Sequence, residues 1–210
     1  MTRADRPEVG DFRHGRVPRE VRERQILALA EDLFTERGFR GTSMDELAAR
    51  AGVSKPVIYD IVGNKEALYE RCFERAGDEL SEAIIEAAAA NTGDPAGMLR
   101  ATALAFLQFV EGHEKAWAML YALDAAGRKD SHVQRIRARQ ARIAADLLAQ
   151  LGASVEPQRL EAAAFMLNGA FEALASWRLG RDEISDETAA DWLVAFLLPG
   201  LRPLLEPARR

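Results

Sequence analysis

Residues 42–68 read TSMDELAARAGVSKPVIYDIVGNKEAL, and this stretch decides the fold. Its spacing predicts two short helices around a glycine turn, followed at once by the start of a third. Ser43 and Glu46 stand at capping-box spacing, so each can satisfy an open donor at a helix start. Met44, Leu47, Ala48 and Ala51 form an apolar stripe at helical spacing. Gly52 sits where the chain must turn and takes positive φ at little cost. Val53 is placed to plug the turn from beneath. Ser54 is the expected cap of the second helix, and Pro56 suits a first turn, where N–H groups lack helical partners. Val57 and Ile58 are expected to give that helix its buried side, with Lys55, Tyr59 and Asp60 outward. Asn64 is expected to cap a further helix from Lys65. Two helices held at an angle by a tight turn can press the second into the major groove of DNA.

The order Thr42-Ser43-Met44, Leu47-Ala48, Ala51-Gly52-Val53-Ser54, Ile58-Tyr59 and Lys65-Glu66-Ala67-Leu68 resembles the TetR family of bacterial transcriptional repressors. The preceding segment is similar as well: Gln25 to Phe34 match that family's first helix, and Arg37-Gly38-Phe39 with Gly41-Thr42 match its glycine exit. These motifs cover roughly residues 20 to 70, in order and at compatible spacing. The pattern departs at Ile61 and Val62, where relatives often carry a histidine and a phenylalanine. Val62 fills a core position with less volume. Ile61 has no side-chain donor for a phosphate, so one backbone contact common among relatives lacks its counterpart.

The bulk numbers fit an all-α regulator. With 210 residues, 48% of them hydrophobic, the chain can build a small domain and a larger one, each with a core. Alanine and leucine dominate, and no strand-like alternation persists. The formal charge is −5, and residues 1–63 carry eleven basic and eleven acidic side chains. That excludes a non-specific polyanion binder but not a groove reader, whose few basic groups need only share one side. Cys72 is the lone cysteine, so no intrachain disulfide exists; a buried helical hydrophobe in a cytoplasmic protein is the reading of choice. No signal peptide stands out, and no apolar run approaches the ~20 residues of a membrane span.

Residues 1–18 read as a disordered arm whose arginines are diluted by acids. Residues 19–64 are expected to form the DNA-binding domain. Residues 65–206 are expected to form a body for effector binding and dimerisation. Helix one is expected over residues 20–37, burying Ile26, Ala30, Leu33 and Phe34. A connector helix follows over 65–90. Asp94-Pro95 starts a central, nearly all-apolar helix that Gly112 ends. A short helix is expected over 115–123. Ser131 and Gln134 box the start of the next, which buries Val133, Ile136, Ile143, Leu147 and Leu151. Pro157 starts another that Gly180 ends. Asp186 is the expected cap of the last, which Pro199 should kink or end.

No catalytic constellation assembles. There is no phosphate-binding glycine loop, and His14, His113 and His132 have no metal-ligand spacing. His113-Glu114 is a poor acid–base pair. The acids Asp182, Glu183, Asp186 and Glu187 fit a helix N-terminus. The basic run Arg128, Lys129, Arg135, Arg137, Arg139 and Arg142 fits a solvated helix face, contact with an anionic effector being the sharper alternative. No cofactor is implied. The best ligand signal is aromatic and Met-rich, drawn from several helices: Phe106, Phe109, Trp117, Tyr121, Phe165 and Phe171, with Asn168 as the orienting polar group.

Together these features are read as a homodimeric, ligand-responsive regulator. The resemblance implies a repressor that binds a palindromic DNA operator and is released by a small lipophilic effector. Lys55, Pro56, Val57, Tyr59 and Asp60 are expected at the groove, with Thr42, Ser43 and Lys65 near phosphates. Leu167, Leu174, Trp177, Trp192, Leu193 and Phe196 are expected at a two-fold interface built from the last two long helices. Two alternatives stay open: a DNA-binding protein whose body only dimerises, and an all-α enzyme with a vestigial helix-turn-helix.

Overall fold

A computed structural model describes residue 10, residues 17–114, residue 117, residues 131–152 and residues 155–205, with the backbone alone at residues 131 and 132. Eight helices are described: α1 (Arg19–Gly41), α2 (Met44–Ala51), α3 (Lys55–Val62), α4 (Lys65–Ala89), α5 (Pro95–Gly112), α6 (Ser131–Gln150), α7 (Pro157–Arg178) and α8 (Asp186–Leu205). No strand occurs among the described residues. Two compact units part inside α4, between Arg75 and Ala76. The expected short helix over 115–123 and the N-terminal arm lie outside the described residues, apart from Trp117, residue 10, Val17 and Pro18.

In the N-terminal unit α1 packs on α2 and α3, and α2 on α3. The core holds Ile26, Ala30, Leu33, Leu47, Ile58 and Leu68, all essentially sealed from solvent. The α1 backbone breaks at Gly38, whose φ of 68° and ψ of 171° are open only to glycine. The Thr42 hydroxyl then ties the exit down, lying 2.9 Å from the Gly38 carbonyl and 3.2 Å from that of Leu33. Helix α2 ends in a Schellman turn. Gly52 (φ 65°) sends its N–H to the Ala49 carbonyl at 3.2 Å, and Val53 sends its own to Ala48 at 3.1 Å. Arg22 of α1 reaches across to the Ala51 carbonyl at 3.2 Å, a cation on the negative end of α2.

Several caps differ from expectation. Ser43 takes the Asp45 N–H at 3.2 Å, but Glu46 does not close the box. Its carboxylate instead pairs with Arg37 and Arg50, because charge-assisted bonds to guanidinium outweigh one to a neutral N–H. Ser54 stands at the start of α3 without a side-chain cap bond; its carbonyl takes the Val57 and Ile58 N–H groups. Asn64 caps α4 through the Ala67 N–H at 2.8 Å, as expected. Only Ile58 and Val62 are buried on α3; Val57 is exposed.

In the C-terminal unit α5 packs along α8 and against α7, while α6 pairs with α7 and α7 with α8. Asp94 caps α5 through the Ala96 N–H at 3.1 Å, and Met98, Leu99, Ala103, Phe106, Leu107 and Val110 are buried along it. Helix α6 buries Val133, Gln140, Ala141 and Leu148; of the expected stripe, Ile136, Ile143, Leu147 and Leu151 are half-buried. The Ser131 side chain of the expected box lies outside what is described. The last helix is capped one residue earlier than expected. Ser185 Oγ accepts the Thr188 N–H at 3.2 Å, while Asp186 turns inward to pair with Arg178. Burial pushes the Asp186 carboxyl above its ordinary range. Helix α8 also runs on through Pro199 to Leu205, because Leu201 and Leu204 are anchored in the core beyond the proline. By length and composition α8 is apolar enough to cross a membrane, although no such run was expected. Its Ala189, Ala190 and Leu193 nevertheless face the core, as in a helix of a folded domain.

Candidate functional site

The second helix of the helix-turn-helix presents a continuous outward face. Val57 and Tyr59 are 39% and 44% exposed, large apolar side chains left in solvent on a helix whose other side is sealed. Lys55, Pro56 and Asp60 are exposed beside them. The charged members arrive already paired. Lys55 Nζ lies 2.9 Å from the Asp45 carboxylate, which raises the ammonium pKa above its ordinary value. Asp60 takes Arg19 at 2.7 Å through its carboxylate and at 2.6 Å through its carbonyl. The pairing of Arg19 with Asp60 is not legible in the sequence, since forty-one positions separate the two.

The expected phosphate contacts divide. Ser43 is exposed at the start of α2, where open N–H groups and the helix dipole favour an anion. Thr42 is only 3% exposed and its hydroxyl is spent on backbone carbonyls, so its side chain is turned away from any ligand. Lys65 is half-buried, 3.2 Å from the Thr42 carbonyl and over the Phe39 ring at 4.7 Å. Ile61 is half-buried and contributes its carbonyl to Arg71 at 2.9 Å.

The C-terminal unit contains a cavity of about 60 Å³ among α4 to α8. A single water requires on the order of 10–15 Å³ on the same measure, so the space would hold several waters. Its walls are aliphatic, with Ile84, Leu148 and Leu198 among them, and its polar groups are Thr102, Gln140 and Asn168. Among the described residues no charged side chain lines it.

Of the residues expected at a ligand, Asn168 and Phe171 line this cavity. Phe106 instead packs edge-on against Trp117 at 5.5 Å and Phe171 at 5.7 Å. Trp117 is also buried, its Nε1–H directed at Ser176 Oγ, 3.0 Å away. Phe109 stacks on His113 at 4.2 Å, and His113 Nδ1 lies 2.8 Å from the Phe109 carbonyl. Phe165 is 49% exposed and does not line the cavity; three-residue steps drift around α7 and place it about 120° from Phe171. Tyr121 lies outside the described residues. Gln140 went unnoticed because it sits in the basic run. Its spacing from Val133, Ala141 and Leu148 is nevertheless that of one helical face.

Leu167 and Leu193, expected between subunits, are buried in the chain's own core, and Leu174 is half-buried against it. The rest of that face is open. Trp177, Trp192 and Phe196 are 43%, 51% and 83% exposed, joined by Phe165 and Met166. Among the described residues no cluster of three or more potential metal ligands occurs. Of the basic run, Arg137 pairs with Glu172 at 2.8 Å and Arg139 with Asp78 at 2.5 Å; Arg128 and Lys129 lie outside the described residues.

Comparison with known proteins gives two adjoining matches. Residues 26–72 match the bacterial regulatory proteins of the tetR family, and residues 95–200 match the tetracyclin repressor-like C-terminal domain. A TetR-like transcriptional regulator from Rhodococcus sp. RHA1, of known structure, is 38% identical with a TM-score of 0.65, over 89% of this chain and 98% of that one. AibR, solved in complex with isovaleryl coenzyme A and operator DNA, is 26% identical with a TM-score of 0.61, over 85% of this chain and 98% of that one. The HTH-type transcriptional activator FasR of Mycolicibacterium smegmatis is 37% identical over 119 residues, which are 57% of this chain and 54% of that protein. The chain thus spans about half the length of that curated relative. With both halves matched, and the second match alone covering half its length, the chain belongs to the tetR family of bacterial transcriptional regulators.

Proposed function

We propose that this regulator binds a palindromic DNA operator as a homodimer and changes its affinity when a small, largely apolar effector enters the C-terminal unit. The observation that carries the reading is the outward face of α3. Val57 and Tyr59 are held in solvent by a helix anchored through Ile58 and Val62, directly after the αL turn at Gly52. Exposed apolar and aromatic side chains on a recognition helix are suited to base edges and thymine methyls. Lys55 and the start of α2 at Ser43 supply contacts for the flanking phosphates. The aliphatic cavity supports the effector part of the reading, as does AibR, whose structure holds both a ligand and operator DNA.

Repression by occupying the promoter is the simplest consequence of operator binding. Activation is the second reading, favoured by the relative from Mycolicibacterium smegmatis, which is named an activator. Operators selected from random duplexes test the reading. Tyr59→Ala should weaken selected-operator binding at least tenfold, about 1.4 kcal/mol, without changing the thermal midpoint. Lys55→Ala should lower the slope of log affinity against log salt by about one. If both variants bind like the parent, α3 is not the reading helix. A reporter behind the selected operator then separates repression from activation.

A further inference from the structure

The polar groups of the cavity specify what it holds, given the reading of that cavity as an effector site. Ser81 Oγ donates to the Gly77 carbonyl at 2.6 Å within α4. A carbonyl can only accept, so the single Ser81 proton is committed there. Ser81 can therefore only accept from Gln140, whose Nε2 lies 3.0 Å away. This fixes the amide: Nε2 faces Ser81, and Oε1 is left over. Gln140 is 6% exposed, and Oε1 is buried with no partner. On a different helix, the buried Nδ2 of Asn168 is likewise without a partner. The Thr102 hydroxyl is spent on the Met98 carbonyl at 2.9 Å, which leaves it only lone pairs. Gln140 and Asn168, both among the residues that line the cavity, thus carry a buried acceptor and a buried donor without partners, on the packed helices α6 and α7.

Buried polar atoms without partners are costly and are normally satisfied. A ligand that satisfies both must accept from Asn168 and donate to Gln140. It should also be uncharged, since among the described residues no cation or anion lines the cavity to replace the hydration of an ion. We propose that the cavity binds a neutral aliphatic molecule bearing one head group that both donates and accepts a hydrogen bond, an alcohol or unsubstituted amide, and rejects ionised acids. The Asn168 side chain donates to the head-group oxygen, and Gln140 Oε1 accepts its O–H or N–H.

Isothermal calorimetry on the full chain at pH 7.5 tests this with hexanamide, hexanol, N,N-dimethylhexanamide, hexanoate and hexane. Hexanamide and hexanol should bind at least tenfold more tightly than the dimethyl amide, which cannot donate, and than ionised hexanoate. Gln140→Met should erase the preference for hexanamide over its dimethyl derivative. Asn168→Leu should weaken both amides. Equal binding of the two amides to the parent chain, tighter binding of hexanoate, or no binding by any probe overturns the proposal, and these arms need no variant to fold. Operator affinity is measured separately. Hexanamide that binds as described yet leaves operator affinity unchanged would refute the effector reading while the cavity chemistry stands.

Discussion

Cys72 shows how far one residue's surroundings set its chemistry. It is 7% exposed on α4, with Sγ 3.8 Å from the Leu27 carbonyl oxygen, and burial pushes its thiol from the ordinary 9.0 up to about 12. Alkylation needs thiolate, so the native protein at pH 8 should react with iodoacetamide roughly a thousandfold more slowly than the protein in denaturant. A native rate within tenfold of the unfolded one would show that the thiol is accessible. The sign of the pH effect follows from the raised value. The folded state prefers the protonated thiol, so this contribution is whole below about pH 9 and is lost as pH rises towards about 12. The residue was legible from sequence as a buried hydrophobe on a helix. Thr42 was not: a small polar residue beside a capping serine reads as a surface group, and only the break at Gly38 brings two carbonyls within reach of its hydroxyl.

At the scale of the element, the helices themselves were largely legible because apolar spacing and glycine or proline punctuation agreed. Helix α4 was expected over 65–90 and spans Lys65–Ala89; α5 spans Pro95–Gly112, as Asp94-Pro95 and Gly112 implied. The misplaced features are those decided by partners distant in sequence. Asp186 was read as a cap, but Arg178 draws it into the core and leaves capping to Ser185. Pro199 was expected to kink or end its helix; α8 does not end there, because leucines beyond it are anchored in the core. Glycine at position 38 is where local backbone governs an entire element. A Cβ there would meet nothing within 4 Å, so Gly38→Ala tests backbone strain alone. It should lower stability by about 1–3 kcal/mol, read from urea unfolding with an unchanged slope. A loss below about half a kilocalorie would mean that the exit of α1 relaxes into an ordinary helical turn.

At the scale of the whole molecule, one chain leaves several large apolar side chains of α7 and α8 open to solvent. Phe165, Met166, Trp177, Trp192 and Phe196 are all exposed, while Gly169 and Gly200 have nothing within 4 Å of the position a Cβ would take. Large contiguous apolar patches on a soluble surface mark contacts, and a second copy of the chain is the occupant the two-helix arrangement suits. Met166→Asp combined with Phe196→Asp alters only exposed positions, at 69% and 83% exposure, so each chain should still fold. The double variant should sediment as a monomer at micromolar concentration and lose tight operator binding together with its partner; a dimer of unchanged stability would put the interface elsewhere. The sequence marked these two helices correctly as the apolar pair. It could not separate their inner from their outer leucines, because both faces of each helix are apolar and spacing alone does not say which side a core lies on.

The carboxylates beside α3 have a kinetic consequence for a protein that must find one site among many. A phosphate approaching Lys55 must displace Asp45, and one approaching Arg19 must displace Asp60. On arbitrary duplex, swapping one anion for another yields little, and a chain of formal charge −5 gains nothing more from the polyanion at long range. If α3 reads DNA as proposed, the exchange becomes favourable only where the bases also fit Val57 and Tyr59. On that proposal the protein should dwell briefly on random sequence and search by free diffusion between short visits, with its resting ion pairs widening the ratio between operator and bulk genome.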